Sequence, residues 1–221
     1  MLTGGSGVLG KELQKHIKCY APPRNKVDIV ERRTPESYHW LIKEITPSLI
    51  VHCAAYTDVL KAETEKELCY QTNVVGTRNL ASLGIPMLYI STEYVFDGEK
   101  GNYNEEDYPN PVNFYSLTKL LGEFESKKTR SVIIRCLFKR RPFEHPQACI
   151  DMHTSGDYVD NMAKEIVQAI SLFDKLPPII HIGSGRKSIF DLARQTREVI
   201  PIKVKDVKTV RLPKDTSLDC S

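Results

Sequence analysis

Met1-Leu2-Thr3-Gly4-Gly5-Ser6-Gly7-Val8-Leu9-Gly10 opens the chain, with glycines at 4, 7 and 10 between a short apolar start and a helical pattern. A strand-to-helix turn whose backbone must approach a phosphate needs glycines at such spacing. The amides of such a turn can face an anion, and the orphan N–H groups and dipole of the following helix add to the attraction. The Ser6 hydroxyl can join them. A plain strand-to-helix turn is the alternative reading, although it needs fewer glycines at less regular spacing. Only Met1, Leu2 and Thr3 precede Gly4. The first strand therefore reads as shortened, at a cost in stability if it is central in a sheet.

Outward from that turn, short apolar runs alternate with helical patterns. Residues 17–21, 48–54, 87–91, 131–138 and 178–182 read as strands, and 11–16, 35–45, 66–83, 113–126 and 159–173 have helical spacing. Such alternation predicts an α/β fold, a doubly wound parallel sheet with helices on both faces, in which ligands bind at the carboxyl ends of the strands. The marked residues fall at such ends. Gly4 to Gly10 follows the first strand, Cys53-Ala54-Ala55-Tyr56-Thr57 leaves Leu49-Ile50-Val51-His52, and Ser91-Thr92-Glu93 leaves Leu88-Tyr89-Ile90.

Downstream stands Tyr115-Ser116-Leu117-Thr118-Lys119. A tyrosine and a lysine four apart share one face of a helix, so the ammonium can stand near the phenol and favour the phenolate. Lowered from its usual value of about 10, such a phenol becomes a proton donor usable near neutrality. Thr92 would supply a second hydroxyl. Glycine turn, strand-end threonine and Tyr-x-x-x-Lys helix, in that order, are the parts of a nicotinamide-dependent carbonyl reductase. The end of the second strand reads Tyr20-Ala21-Pro22-Pro23-Arg24, with no carboxylate at that point to grip ribose hydroxyls and with an arginine suited to a 2′-phosphate. NADP(H) is thus expected in preference to NAD(H).

Bulk composition narrows the classes. The chain has 221 residues, 31 basic against 28 acidic with a formal net charge of +3, and 41% hydrophobic residues, an ordinary globular balance that demands neither nucleic acid nor membrane. The runs Lys127-Lys128-Thr129-Arg130 and Lys139-Arg140-Arg141 read as solvated loops. Six scattered cysteines, Cys19, Cys53, Cys69, Cys136, Cys149 and Cys220, read as buried thiols in a reducing compartment. No apolar stretch approaches a membrane span and no signal peptide precedes the glycine turn, so a cytoplasmic location is expected. His52, His145, His153 and His181 lack partners at ligand spacing; core or surface roles, and no metal, are expected. Gly183-Ser184-Gly185 reads as a turn into a helix at Ser188. The oligomeric state is not legible in these residues, which are compatible with a homodimer.

These motifs are joined by longer stretches that carry a resemblance: Pro47-Ser48-Leu49-Ile50-Val51-His52-Cys53-Ala54-Ala55-Tyr56-Thr57-Asp58-Val59, Asn73-Val74-Val75-Gly76-Thr77-Arg78-Asn79-Leu80, Tyr89-Ile90-Ser91-Thr92-Glu93-Tyr94-Val95-Phe96-Asp97-Gly98 and Pro109-Asn110-Pro111-Val112-Asn113-Phe114-Tyr115. With Asp157-Tyr158-Val159-Asp160 and the final Ser217-Leu218-Asp219-Cys220-Ser221, the chain resembles the extended short-chain dehydrogenase/reductases, and within them the RmlD-like dTDP-4-dehydrorhamnose reductase family. The resemblance implies a Rossmann fold and hydride transfer from NADPH to carbon-4 of a nucleotide-linked 4-keto-6-deoxy sugar. Tyr115 would donate the proton, Lys119 would lower its pKa and hold the nicotinamide ribose, and Thr92 would hydrogen-bond the carbonyl. Cofactor-binding candidates are Gly4, Ser6, Gly7, Val8, Leu9, Gly10, Arg24, Asp28, Ile29, Cys53, Ala54, Ala55, Tyr56, Asn73, Ser91, Tyr115 and Lys119. Substrate-binding candidates are Thr57, Val59, Thr92 and Phe138. Residues 1–137 are expected to form the NADP-binding domain, with 157–183 packing back on it, and 138–221 a small substrate-binding portion.

Departures from the family pattern are Glu93 in place of aspartate, Phe138 in place of tryptophan, and a region 139–152 several helical turns shorter, which implies a smaller lid. Two alternatives stay open: a non-catalytic NADP-binding regulatory subunit, like that of methionine adenosyltransferase, and a related nucleotide-sugar epimerase or dehydratase, for which Glu93 would be the added carboxylate beside the threonine.

Overall fold

The computed structural model describes residues 1–30 and 44–221. In it β1 (Leu2–Thr3), β2 (Ile50–His52), β3 (Met87–Ile90) and β4 (Ser131–Arg135) run parallel. Short strands β5 (Phe138–Lys139), β6 (Gln147–Cys149), β7 (His153–Thr154) and β8 (Asp157–Tyr158) follow. The chain then returns as β9 (Ile179–His181) beside β4, completing a sheet of order β1-β2-β3-β4-β9. Registers of Leu2 with Val51, Val51 with Leu88 and Leu88 with Val132 align the strand ends.

The sheet is covered on both faces, which is why its strands are apolar without alternation. On one face Leu2, Val51, Leu88, Ile90, Val132 and Ile134 pack against Leu9 and Leu13 of the first helix (Val8–Leu13) and Met162, Ala163 and Ile166 of the helix Val159–Ser171. On the other, Ile50, Met87, Tyr89 and Ile133 meet Val27, Ile29, Leu80 and Ala81. The doubly wound expectation holds.

A third core joins Phe143, Ala148, Cys149, Met152, Tyr158, Ile189, Leu192 and Ala193 to Tyr94 and Tyr115, so the small C-terminal portion packs directly on the tyrosine helix (Phe114–Ser126). This portion also contains β10 (Lys187–Ser188), the helix Ile189–Arg194 and β11 (Ile200–Ile202); β10 pairs with β7 and β11 with β6. Ser188 caps that helix by accepting from Asp191 N, so Gly183-Ser184-Gly185 is the turn expected.

Met1 offsets the shortness of β1. Its nitrogen donates to Leu49 O at 2.8 Å and its carbonyl accepts from Val51 N at 2.8 Å, while Leu2 N donates to Tyr20 O on the opposite side. Residues 17–21 do not form the regular strand expected. Pro22 and Pro23, which have no N–H to donate, end the pairing after that one bond. The first helix begins at Val8 rather than Lys11. The expected 66–83 helix is Lys66–Tyr70, a π-helical turn Gln71–Val75 and Gly76–Ala81 in succession. The 131–138 strand is divided, because β5 leaves the main sheet to pair with β8. The helix expected at 35–45 lies outside the described residues except for its last two positions. Cys69, Cys136 and Cys149 are buried, Cys19 and Cys53 are half-buried, and Cys220 is exposed against expectation; all six are free thiols. No helix among the described residues is long and apolar enough to cross a membrane.

Candidate active site

A cleft of about 820 Å³ runs along the carboxyl ends of β1 to β4. At its β1 end the chain turns sharply. Gly4 adopts φ +70°, and a Cβ there would lie 2.6 Å from Ala54 N, so no other residue fits without moving β2. Gly7 N donates to Gly4 O at 2.9 Å, closing the turn. A Cβ on Gly10 would meet Gly4 O and come within 2.8 Å of Gly5 Cα, which explains the third glycine: the first helix lies directly on the turn. Gly4, Ser6, Gly7, Val8, Leu9 and Gly10 all line the cleft. A turn closed this tightly on backbone, with its glycines and Ser6 on the cleft wall, fits the phosphates of a dinucleotide.

Arg24, Asp28 and Ile29 also line it. A carboxylate does reach the end of the second extended segment, contrary to the sequence reading. The turn in which Lys26 N and Val27 N both donate to Pro23 O folds Asp28 back, and Arg24 Nε donates to Asp28 Oδ2 at 3.0 Å.

Thr92, Tyr115 and Lys119, the triplet expected, all line the cleft. Asn113 caps the tyrosine helix, its Oδ1 accepting from Ser116 N at 2.9 Å, and so sets Tyr115 in the first turn. Thr92 ends β3 and caps the short turn Glu93–Val95 by accepting from Tyr94 N. Lys119, 3% exposed, donates from Nζ to Ile90 O at 2.7 Å and stands 4.2 Å from the Tyr89 ring centroid. Burial lowers its pKa to about 8, with Glu123 opposing the shift. Tyr115 does not have the lowered pKa expected. Burial raises it, and the strongest opposing influence is the Thr92 hydroxyl rather than Lys119, whose ammonium is turned to Ile90 O.

Behind the triplet are two buried polar clusters. Ser91 Oγ donates to Glu123 Oε1 at 2.5 Å, and Arg135 holds Glu123 through Nε at 3.0 Å and Nη2 at 2.8 Å. Ser91 thus lines the cleft with its hydroxyl committed elsewhere. Asn73, carried on the π-helical turn, accepts from Tyr56 N at 2.8 Å and donates to Tyr56 O at 3.1 Å and Thr118 Oγ1 at 2.9 Å. It ties the loop after β2 to the tyrosine helix. Asn73 and Tyr56, expected to touch the cofactor, lie outside the cleft lining. The amide of Asn73 is used up by that clamp, and the Tyr56 hydroxyl donates to Glu65. Cys53, Ala54 and Ala55 do line the cleft.

Thr57, Val59 and Phe138, the substrate-binding candidates, line the cleft together with Asp58, Leu60, Tyr94, Leu137, Glu144 and His145. Lys139, in β5, and the exposed Arg140 that follows it line the cleft too, so this run is not only a solvated loop. Their signal in the sequence was contiguity with Phe138. Glu93 is fully buried and absent from the lining; its Oε1 accepts from Thr216 Oγ1 at 2.6 Å while Oε2 has no hydrogen-bond partner, and burial raises its pKa to about 7. The added carboxylate of a dehydratase is therefore not delivered by Glu93. His52 is neutral, held between Thr3 Oγ1 and Thr77 Oγ1, with burial lowering its pKa to about 3. Among the described residues no three His, Cys, Asp or Glu side chains stand together as a metal site would need.

Comparison with known proteins is consistent with this geometry. Residues 1–142 match the family model described as the RmlD substrate binding domain. Over its whole length the chain is 27% identical to methionine adenosyltransferase 2 subunit beta of Rattus norvegicus and spans 80% of that protein. It is 36% identical over 133 residues to the dTDP-4-dehydrorhamnose reductase of Streptomyces griseus, a match that covers 56% of this chain and 43% of that one. The solved structure of dTDP-4-dehydrorhamnose reductase from Bacillus anthracis in complex with NADP superposes with a TM-score of 0.84 at 28% identity, over 100% of this chain and 89% of that one.

Proposed function

The chain belongs to the RmlD substrate-binding-domain family, and from that premise we propose that it is an NADPH-dependent reductase of the 4-keto group of a nucleotide-linked 4-keto-6-deoxy sugar. The observation that carries this reading is the single cleft that joins the glycine turn to Thr92, Tyr115 and Lys119. The similarity to a reductase solved with NADP supports it.

In this reading Gly4 to Gly10 and the loop Cys53 to Ala55 hold the cofactor, Arg24 favours the 2′-phosphate by exchanging Asp28 for it, and the bound nicotinamide supplies the hydride. Thr92 hydrogen-bonds the substrate carbonyl, and Tyr115 gives its phenolic proton to the oxygen as negative charge develops there. An ammonium has three donors. Lys119 uses one on Ile90 O, which leaves others for Tyr115 and a ribose hydroxyl. Residues 1–137, with 157–183 packed back on them, serve the cofactor; 138–221 serve the substrate.

The test is NADPH oxidation by the purified protein with dTDP-4-dehydrorhamnose, beside NADH and a Tyr115→Phe control. Turnover that the control abolishes supports the reading. A second reading, a non-catalytic NADP-binding subunit of a larger assembly, is favoured by the full-length similarity to methionine adenosyltransferase 2 subunit beta. It requires NADPH binding with no oxidation of any 4-keto sugar nucleotide, and a stable hetero-complex.

A further inference from the structure

Arg24, Lys119, Lys139 and Arg140 are the lysines and arginines among the described residues that line the cleft. Three have partners in place. Arg24 Nε bonds Asp28 at 3.0 Å, Lys119 Nζ bonds Ile90 O at 2.7 Å, and Arg140 Nε pairs with Glu144 Oε1 at 3.0 Å. Lys139 has neither a hydrogen bond nor an ion pair among the described residues. Its backbone is nevertheless fixed, because β5 pairs with β8 through Phe138 to Asp157 and Lys139 to Tyr158, above the core that contains Tyr158 and Tyr115.

Lys139 is half-buried in the cleft wall, and among the described residues no carboxylate or carbonyl takes up its ammonium. Burial lowers its pKa, while Glu93 and Glu144 attract it from beyond ion-pair range. Neither occupies its donors. Glu144 is taken by Arg140, and Glu93 is fully buried with Oε1 bonded to Thr216. What Lys139 does face is the cleft, next to Phe138 and at the opposite end from the glycine turn. Two cationic heads, one of them with all three donors free, suit a doubly charged anion.

We propose that Lys139, with Arg140 beside it, forms the subsite for the diphosphate of a nucleotide-linked substrate. The proposal rests on the reading of the cleft as a sugar-nucleotide site. When the diphosphate binds, Lys139 donates to its oxygens, and Arg140 turns from Glu144 to share it.

The experiment is calorimetric titration of dTDP and of dTMP into the full-length protein saturated with NADP⁺, for wild type, Lys139→Gln and Lys139→Arg. Lys139→Gln is expected to weaken dTDP about tenfold or more, and dTMP, which lacks the second phosphate, by about threefold at most. Lys139→Arg should restore most of the dTDP affinity. NADP⁺ affinity within about twofold of wild type shows that the variants are folded. Unchanged dTDP affinity in Lys139→Gln, or a wild type that binds no dTDP, overturns the subsite. The reaction fails separately: dTDP bound through Lys139 without any NADPH oxidation keeps the subsite and loses the reductase, while turnover with dTDP indifferent to Lys139 does the reverse.

Discussion

The two ends of the cleft are built from different material. At the β1 end the wall at the glycine turn is backbone: glycines with no Cβ, a strand end and the start of a helix, all keyed to a sheet with two covered faces. At the β5 end the walls are side chains, Phe138, Lys139, Arg140 and His145, mounted on a strand of two residues and the loop after it. Backbone walls tolerate almost no substitution, and they bind what is constant in a ligand. Side-chain walls can change residue by residue, so they decide which substrate is held.

The two buried carboxylates near the site divide in the same way. Glu123, on the sheet side, accepts from Ser91 and from two nitrogens of Arg135. Glu93, on the side of the small portion, has one hydroxyl and an unpartnered oxygen. The first carboxylate is held on both oxygens in an ion pair that leaves only Arg135 Nη1 without a partner; the second has a pKa raised to about 7 by burial.

This contrast can be broken by mutation. The largest expected effect is on chemistry where the two ends meet: Tyr115→Phe should lower kcat by about 10²- to 10⁴-fold with NADPH affinity kept, measured by steady-state kinetics and fluorescence titration. Next is Arg135→Met, which strands Glu123 in the interior and should cost about 3–5 kcal/mol in denaturant unfolding. A loss below about 1 kcal/mol would mean that Glu123 finds water.

Glu93 should show the opposite sign. Its folded-state pKa lies above the unfolded value of 4.5, so it subtracts stability as pH rises from about 4.5 to about 7, and the deficit persists above that. Glu93→Gln should remove that fall, a relative gain of up to about 3 kcal/mol at pH 8 compared with pH 4. Parallel stability profiles for wild type and variant would mean that the Glu93 pKa is the same folded and unfolded, with no shift from burial. Gly4→Ala should destabilise by about 1–3 kcal/mol through its left-handed φ alone, and more through Ala54. Arg24→Ala is the mildest change, expected to reduce the NADPH over NADH preference about threefold to tenfold. Activity that needs the Lys119 ammonium should decline as pH rises through about 8, which a kcat profile would report.

Legibility followed the same division. The strand-end segments at Gly4, Cys53 and Ser91 were readable because local patterns, apolar runs and glycine spacing, specify them. The tyrosine helix, expected at 113–126, is Phe114–Ser126. Lys139 and Arg140 were read as solvated, because charge in a short run says nothing about which surface it faces. Asp28 was underrated at the ribose end because the local turn on Pro23 O that brings it to Arg24 has no glycine or other marker to announce it. Tyr115 kept a high pKa because desolvation outweighed the Thr92 hydroxyl while the lysine one turn away is aimed at Ile90 O, and burial is not a property of spacing.

The sequence by itself determined the parallel strands of the main sheet, the glycine turn and the Thr92, Tyr115 and Lys119 set, since each rests on residue type and short-range period. Only the tertiary structure decided how the shortened first strand is paired through Met1, which cations meet the cleft, and which buried carboxylate is satisfied. Those depend on groups brought together from distant parts of the chain, as Arg135 is to Glu123 and Thr216 is to Glu93, where desolvation and partner geometry set the energy.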